Sequence, residues 1–434
     1  MKPSTSVTPD ASSPPRSVLR DVPFMGVIFV VAEAVKLGFW NGHPDWCNLG
    51  QGQPEVGEME GAPPRISSVD IHPEDHAYGP LEGTDELRSA IAGHYNRLFR
   101  QGKDSRYGPE NVAVSNGGRL ALSRAVAALG QVNVGYQLPD YTAYEDMLEL
   151  HLARVNPMPI KATEENGFLI KPRQVEAAID ELGLGAFLVS NPCNPTGRAL
   201  QGAELQELLD IGKRHDCTLL LDEFYSHFAY KPGPDGSWVG QSAAISAAPM
   251  IDDVEKDRVL LFDGLTKSFR YPGWRVGWIL GPSDLIATIG RVASSMDGGP
   301  SRIAQRAALA ALQPDVADQE TRALREVFVA KRNLMVDTLR EMGVRIPGEP
   351  ESTFYVWGSL EDMPGGLDDG DAFFRAALQH KVMTVPGAFF DVDPGHRRSG
   401  VSPYRQWMRF SFGPPMDNMK MGLDRLVAMV DAAR

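Results

Sequence analysis

Between residues 111 and 281 the chain alternates short, wholly apolar runs with amphipathic helical runs, and the apolar runs stop at clusters of glycine, proline or polar residues. Strands that are apolar on both faces need cover on both sides, as in a parallel sheet packed between helices. In that architecture ligands bind beyond the carboxyl ends of the strands. The alternation therefore predicts an α/β fold with a mostly parallel sheet, and it places any ligand crevice at the residues that follow each apolar run.

Those residues are unusual ones. The run from Asn111 leads into Gly117 and Gly118 and then a helix; a glycine turn at a helix N-terminus is a ready anion site, although a plain strand-to-helix turn accounts for the glycines equally well. Residues 135–144, GYQLPDYTAY, end a strand in a Pro-Asp-Tyr turn that offers Tyr141 as an aromatic face. Residues 187–190 lead into NPCNPTGRAL, where two Asn-Pro pairs and Thr-Gly exclude helix and strand and leave a tight loop carrying Asn194. Residues 218–222, TLLLD, run into Asp222-Glu223-Phe224-Tyr225. An acid just past an apolar strand is either half of a buried ion pair or a site residue, because burying it unpaired is costly.

The last run feeds residues 261–281, LFDGLTKSFRYPGWRVGWILG. Lys267 sits on a short turn among small and hydroxyl residues, and Arg275 follows between glycines. That set suits an aldehyde cofactor bearing a phosphate: the amine forms a Schiff base and the guanidinium pairs with the phosphate. A lone lysine in a turn is ordinarily a surface group. Its ordered company points to pyridoxal phosphate.

The flanks add a second body. Residues 23–39 read as a helix, apolar almost all round at its start, that packs on a second domain or a neighbouring subunit. Residues 48–57, NLGQGQPEVG, lack the third glycine of a dinucleotide fingerprint and have Pro54 where a helix would begin, so they read as a turn bringing backbone near a ligand. Pro73 between His72 and His76 argues against a zinc pair. Tyr78 precedes a Gly-Pro turn and a helix capped near Thr84. Beyond Pro300, helical sequence over 303–342 and weaker strands near 354–357, 382–385 and 407–412 indicate an α+β second domain.

The net charge of −13 and the absence of a basic cluster exclude nucleic acid as a partner. Three cysteines without paired spacing indicate no disulfide framework, and with no cleavable signal evident they point to a reducing cytoplasm. Residues 25–32 are too short an apolar run to span a bilayer.

Taken in order, these motifs resemble a fold-type I pyridoxal phosphate enzyme of the class I/II aminotransferase group, over residues 45–415. The resemblance implies that Lys267 holds the cofactor as an aldimine, Arg275 grips its phosphate, Asp222 pairs with the ring nitrogen, and Tyr225 and Asn194 contact the ring hydroxyl. It implies phosphate-binding amides at Gly117, Gly118 and Arg119, a further phosphate contact from Thr266, and stacking of Tyr141 on the ring. Arg409 in RFSF is implied to bind the substrate α-carboxylate, with Asn194 and Gly52 beside it, and Tyr78 to reach the phosphate of a partner subunit in a homodimer. One residue departs from the pattern: relatives carry serine three positions before the lysine, and here it is Gly264.

The implied activity is transfer of the amino group of an α-amino acid to a 2-oxo acid through the Lys267 aldimine and a quinonoid. The alternative is a natural-product enzyme that uses the same carbanion for elimination or replacement, oxidation, or carbon–carbon bond formation and cyclisation, for example on S-adenosylmethionine or arginine. A regulator of the same fold is disfavoured, since nothing ahead of the body resembles a helix-turn-helix domain. The expected division is a disordered tail (1–20), an N-terminal arm and part of the small domain (21–64), a large cofactor-binding domain (65–298) and a C-terminal small domain (299–434). A dicarboxylate substrate would need a further cation, and Arg119, Arg270 and Arg302 are the candidates.

Overall fold

The computed structural model describes Phe24 and residues 26–232, 238–239 and 244–434. The expected tail, Pro23 and Met25 lie outside the described residues.

Seven strands form the main sheet: β1 (Val112–Ser115), β2 (Val132–Leu138), β3 (Val155–Lys161), β4 (Leu184–Ser190), β5 (Thr218–Asp222), β6 (Val259–Gly264) and β7 (Gly277–Leu280). Across the sheet they run β1-β7-β6-β5-β4-β2-β3. All are parallel except β7, which is antiparallel to both β1 and β6. The sheet is thus mostly parallel, as the alternation predicts.

Leu219, Leu220 and Leu221 of β5 and Leu260, Leu261 and Phe262 of β6 are all at most 3 % exposed. Each such side chain contributes about 1.5–3 kcal/mol by leaving water, so the middle of the sheet is a rigid floor for whatever its strand ends carry. The ends are level. Ser190 lies opposite Asp222, Asp222 opposite Phe262, and Gly277 opposite Gly264 on one side and Ser115 on the other. Because β7 is reversed, its first residue stands at the edge where the parallel strands finish, and Arg275 just before it arrives there too.

The helices that bear on the site are α1 (Gly26–Lys36), α2 (Asp85–Phe99), α3 (Gly118–Ala128), α4 (Ala143–Glu149) and α5 (Pro314–Met342). Thr84 caps α2 by accepting from the Leu87 amide at 3.4 Å, where the cap was expected. Helix α1 is shorter than the 23–39 reading and packs through Phe29 on Phe389 and Phe374, with ring centres 5.3 and 6.1 Å away. The stretch 303–342 is two helices, Arg302–Ala311 and α5, because Pro314 cannot continue the first and opens the second.

A smaller antiparallel sheet comprises β8 (Tyr355–Ser359), β9 (Val385–Pro386) and β10 (Trp407–Ser411), with β10 in the middle. Next to it Cys47–Asn48 pairs in parallel with Val382–Met383, so chain from near the beginning is stitched to chain from near the end. Among the described residues no helix is long and apolar enough to cross a membrane, and no group of His, Cys, Asp and Glu has the arrangement of a metal site. All three cysteines are free and buried.

Candidate active site

A cleft of about 1560 Å³ opens beyond the ends of β1, β2, β4, β5 and β6, and Tyr355, Arg409, Val27 and Val31 line it as well. Lys267 reaches it from the turn after β6. That turn is closed by Tyr271 N–H donating to the Leu265 carbonyl at 2.9 Å and Arg270 N–H donating to the Lys267 carbonyl at 3.1 Å. The Lys267 Nζ donates to the carbonyl of Gly52 and lies 6.0 Å from the ring centres of Tyr225 and Phe354. Loss of water, then the guanidiniums of Arg409 and Arg275, bring its pKa down to about 7, against the pull of Asp222.

Asp222 closes β5 and is 4 % exposed. Its Oδ2 accepts from the Tyr144 hydroxyl at 2.8 Å and its Oδ1 from the Phe224 amide at 3.3 Å. Burial raises its pKa to about 6, and these two bonds and Lys267 hold it from rising further. A buried carboxylate facing a cleft in this way is poised to pair with a cation placed there. Tyr225 exchanges a 3.0 Å hydrogen bond with the hydroxyl of Tyr355.

Asn194 comes from the loop after β4. The loop is pinned by the Asn191 side chain, which donates to the Leu200 carbonyl at 3.1 Å and accepts from the Leu200 amide at 2.7 Å. Asn194 Oδ1 accepts from Arg409 Nη1 at 2.9 Å, and Arg409 Nη2 donates to the Gly50 carbonyl at 2.8 Å. The guanidinium carbon stands 4.1 Å from the Tyr355 ring centre. Arg409 is 2 % exposed, and its Nε has no partner among the described residues.

The other end of the cleft is built for an anion. Gly117, at φ +89°, turns β1 into α3. A methyl group on Gly117 would stand 2.2 Å from Arg275 Nη2, and one on Gly118 would stand 1.9 Å from the Phe224 ring. The Arg275 guanidinium therefore lies against bare backbone at the positive end of a helix. Arg119 supplies a second guanidinium, donating to the Tyr141 hydroxyl at 3.1 Å, and Thr266 has a buried Oγ1 without a partner among the described residues.

The departure at Gly264 has a steric reason. A Cβ there would sit 2.6 Å from the Val276 carbonyl oxygen, 2.8 Å from Gly277 Cα and 2.9 Å from the Phe224 ring. Two of those neighbours are backbone and cannot turn aside, so serine is excluded where β6 and β7 meet.

The structure thus gathers Gly52, Gly118, Arg119, Tyr141, Asn194, Asp222, Tyr225, Thr266, Lys267, Arg275 and Arg409 around one cleft, with Gly117 against Arg275. Tyr78 stands apart and is 97 % exposed. Of the three candidate cations, only Arg119 lines the cleft. Arg270 is buried against Glu320, and Arg302 lies 3.7 Å from Asp75. Sequence reasoning missed Tyr144, Tyr355 and Asp140. Tyr144 had one usable signal, its place three residues after Tyr141 on the first turn of a helix, which sets both on one side. The buried Asp140 accepts from the amides of Tyr141 (2.7 Å) and Ser190 (3.2 Å) and from the Ser190 hydroxyl (2.6 Å), and thereby ties the aromatic turn to the strand before Asn194.

The sequence model of the family described as aminotransferase class I and II matches residues 44–426. The chain belongs to this family. An aspartate/prephenate aminotransferase of Cereibacter sphaeroides is 33% identical over 337 residues, 74% of this chain and 78% of the relative. An aspartate aminotransferase of Bacillus subtilis is 28% identical, spanning 90% of this chain and 92% of its own length. An arginine–pyruvate transaminase of Pseudomonas aeruginosa is 30% identical, over 75% and 77%. The fold matches that of an aspartate aminotransferase from Thermus thermophilus with maleate, with a TM-score of 0.75 over 95% of this chain and 100% of that one at 23% identity.

The protein is therefore a pyridoxal phosphate-dependent aminotransferase of fold type I. These kinships favour transamination over the other fates of the carbanion. The cleft also fits the cofactor on its own chemistry. It offers an amine near neutrality, a buried carboxylate, a guanidinium over bare glycine backbone, and an unsatisfied Thr266 hydroxyl.

Proposed function

We propose that Lys267 carries the cofactor covalently and moves the α-proton, that Arg409 binds the α-carboxylate, and that the amino donor is a dicarboxylic amino acid of the aspartate class. The observation that carries this reading is the meeting of Lys267, Asp222 and Arg409 in one cleft. An amine titrating near 7 can condense with an aldehyde and, once displaced, accept a proton at the same pH.

The cofactor, when bound, supplies a ring that accepts the electron pair left on the α-carbon as its proton departs. Asp222 holds a proton at the ring nitrogen by placing a buried negative charge there. Asn194 and Tyr225 would hold the ring hydroxyl, and Tyr141 would cover a ring face. Arg275, Thr266 and the amides of Gly117, Gly118 and Arg119 bind the phosphate. Arg409, planar and permanently charged, fixes the carboxylate and so the direction of the bond to be broken. The Gly52 turn borders that carboxylate. With the cofactor bound, Lys267 would be the group placed to take up the α-proton and hand it back; release of the 2-oxo acid would consume one water and leave the amino group with the cofactor. The names of the aspartate aminotransferase relatives support a dicarboxylic donor; of the three candidate cations Arg119, held by Tyr141 towards the Arg275 end, is the one within reach of the cleft for a second carboxylate.

In the same reading, residues 65–298 form the large domain, while 21–64 and 299–434 build the small one. The protein works in the cytoplasm as a homodimer, with Tyr78 completing the neighbour's phosphate site. Tyr78 is exposed and does not line the cleft of its own chain, as a residue serving a neighbour's site would be placed.

The test is to mix the cofactor-loaded protein with aspartate alone. Bleaching of the visible band with one equivalent of 2-oxo acid is expected. Arg409→Gln should raise the donor KM about 10- to 100-fold, the worth of a charge-assisted bond, and Arg119→Met should penalise aspartate while sparing alanine. An Arg409→Gln enzyme with the original KM, or equal loss on both donors in Arg119→Met, would count against the assigned roles.

A further inference from the structure

Arg270 is withdrawn from the cleft and spent on the chain itself. Its side chain is 0% exposed. Its Nε and Nη2 donate to the two carboxylate oxygens of Glu320 on α5, the latter at 3.3 Å, and Nη1 donates to the carbonyls of Glu55 at 3.2 Å and Gly57 at 2.8 Å. Its backbone is left-handed, φ +56°, which a bulky residue keeps only where its surroundings hold it. Arg65 helps to hold it, donating to the Arg270 carbonyl at 2.8 Å while lying 3.6 Å from the Tyr271 ring centre. A buried ion pair adds little net stability, since desolvation offsets attraction, but it fixes geometry.

What it fixes is one strip of backbone. Along residues 50–57, the Gly50 carbonyl accepts from Arg409, the Gly52 carbonyl from Lys267, and the Glu55 and Gly57 carbonyls from Arg270. Arg270 also closes the lysine turn, its amide donating to the Lys267 carbonyl. The two segments are therefore joined at both ends, by Lys267 at one and Arg270 at the other. We infer that Arg270, braced by Glu320, is a positioning residue that sets the Lys267 amine against the Gly52 turn and, through that strip, against Arg409.

The inference rests on the assignment of Lys267, so the experiment separates the two. Borohydride reduction of the cofactor-loaded protein and peptide mapping locate the lysine. The visible band is then titrated with pH in the unaltered protein, Arg270→Lys and Glu320→Gln, alongside thermal unfolding and donor kinetics. Arg409, Arg275, Arg119 and Asp222, the charges facing Lys267, are unchanged in both variants. Once the strip is released, water reaches the Lys267 nitrogen and favours its protonated, charged form. The midpoint is expected to rise by a unit or more and the donor KM at least fivefold; the melting temperature falls further in Glu320→Gln, which strands the buried Arg270 charge, than in Arg270→Lys, which keeps a pair. If Arg270→Lys fails to fold, the near-isosteric Glu320→Gln decides. Label on Lys267 with midpoint and KM unmoved overturns the inference alone, leaving Arg270 a structural strut. Label on another lysine overturns the assignment and the inference with it.

Discussion

Tyr144 donates its hydroxyl proton to Asp222 at 2.8 Å from the first turn of α4. Both groups are buried, and the bond is one of the forces opposing the burial-driven rise of the Asp222 pKa. Tyr144→Phe removes it. A hydrogen bond to a charged group is worth about 1.5–3 kcal/mol, or about one to two pKa units. In the cofactor-free protein Asp222 then titrates above its present value of about 6, so the acid limb of the pH dependence of cofactor binding moves to higher pH and the affinity at pH 7 falls about two- to tenfold. An unshifted limb would show that Tyr144 does not govern Asp222.

Lys267 titrates at about 7 in the cofactor-free protein, lowered chiefly by burial. Its neutral form is the nucleophile, so capture of added pyridoxal phosphate quickens as pH rises through 7 and levels off above 8. Stopped-flow absorbance measures the rate, and Lys267→Ala should abolish covalent capture. A midpoint near 10, the value of a free lysine, would mean that the amine is not shielded as described.

Gly264→Ser pushes a Cβ into the backbone of Val276 and Gly277. Overpacking of this kind costs about 1–3 kcal/mol, so the melting temperature falls and the cofactor binds no more tightly despite the added hydroxyl. Unchanged melting with stronger cofactor retention would refute the steric explanation of the departure.

Asp263 and Glu223 are buried acids, each with its pKa pushed up to about 8 by desolvation. A carboxyl whose folded pKa is raised binds its proton more tightly in the folded state, so the stability it gives is full below pH 4 and drains as pH rises through 8. Thermal unfolding should show the protein losing stability from about pH 4 up to about pH 8 and levelling off above it. Asp263→Asn replaces the protonated carboxyl, which accepts from Ser226 at 2.9 Å and the Gly264 amide at 2.7 Å, with a neutral group of the same shape. That variant should be near neutral at pH 6 and lose less at pH 9.

The order of motifs was legible because a parallel sheet delivers every strand end to one edge, so Asn194, Asp222 and Lys267 share a cleft despite their separation in sequence. The reversal of β7 was not legible. Strand direction is set by how far the chain travels before returning, not by the residues within Gly277–Leu280, yet it brings Arg275 to the same edge as the lysine. Tyr144, Tyr355 and Asp140 escaped notice because their worth lies in a partner on another element. Arg270 looked like a free cation for the same reason, since its neutralisation depends on Glu320, distant in sequence.

The pairing of Cys47–Asn48 with Val382–Met383 can form only once chain made late in synthesis is available. The groups proposed to surround the cofactor within one chain, from Gly117 to Arg275, emerge from the ribosome as one continuous stretch carrying most of the main sheet. The proposed carboxylate clamp joins Gly50 from the first part of the chain to Arg409 from the last. On the proposed roles, a nascent chain would complete the surroundings of its cofactor well before it could grip an amino acid, with only the closing helix Met416–Ala433 and its flanks still to follow Arg409.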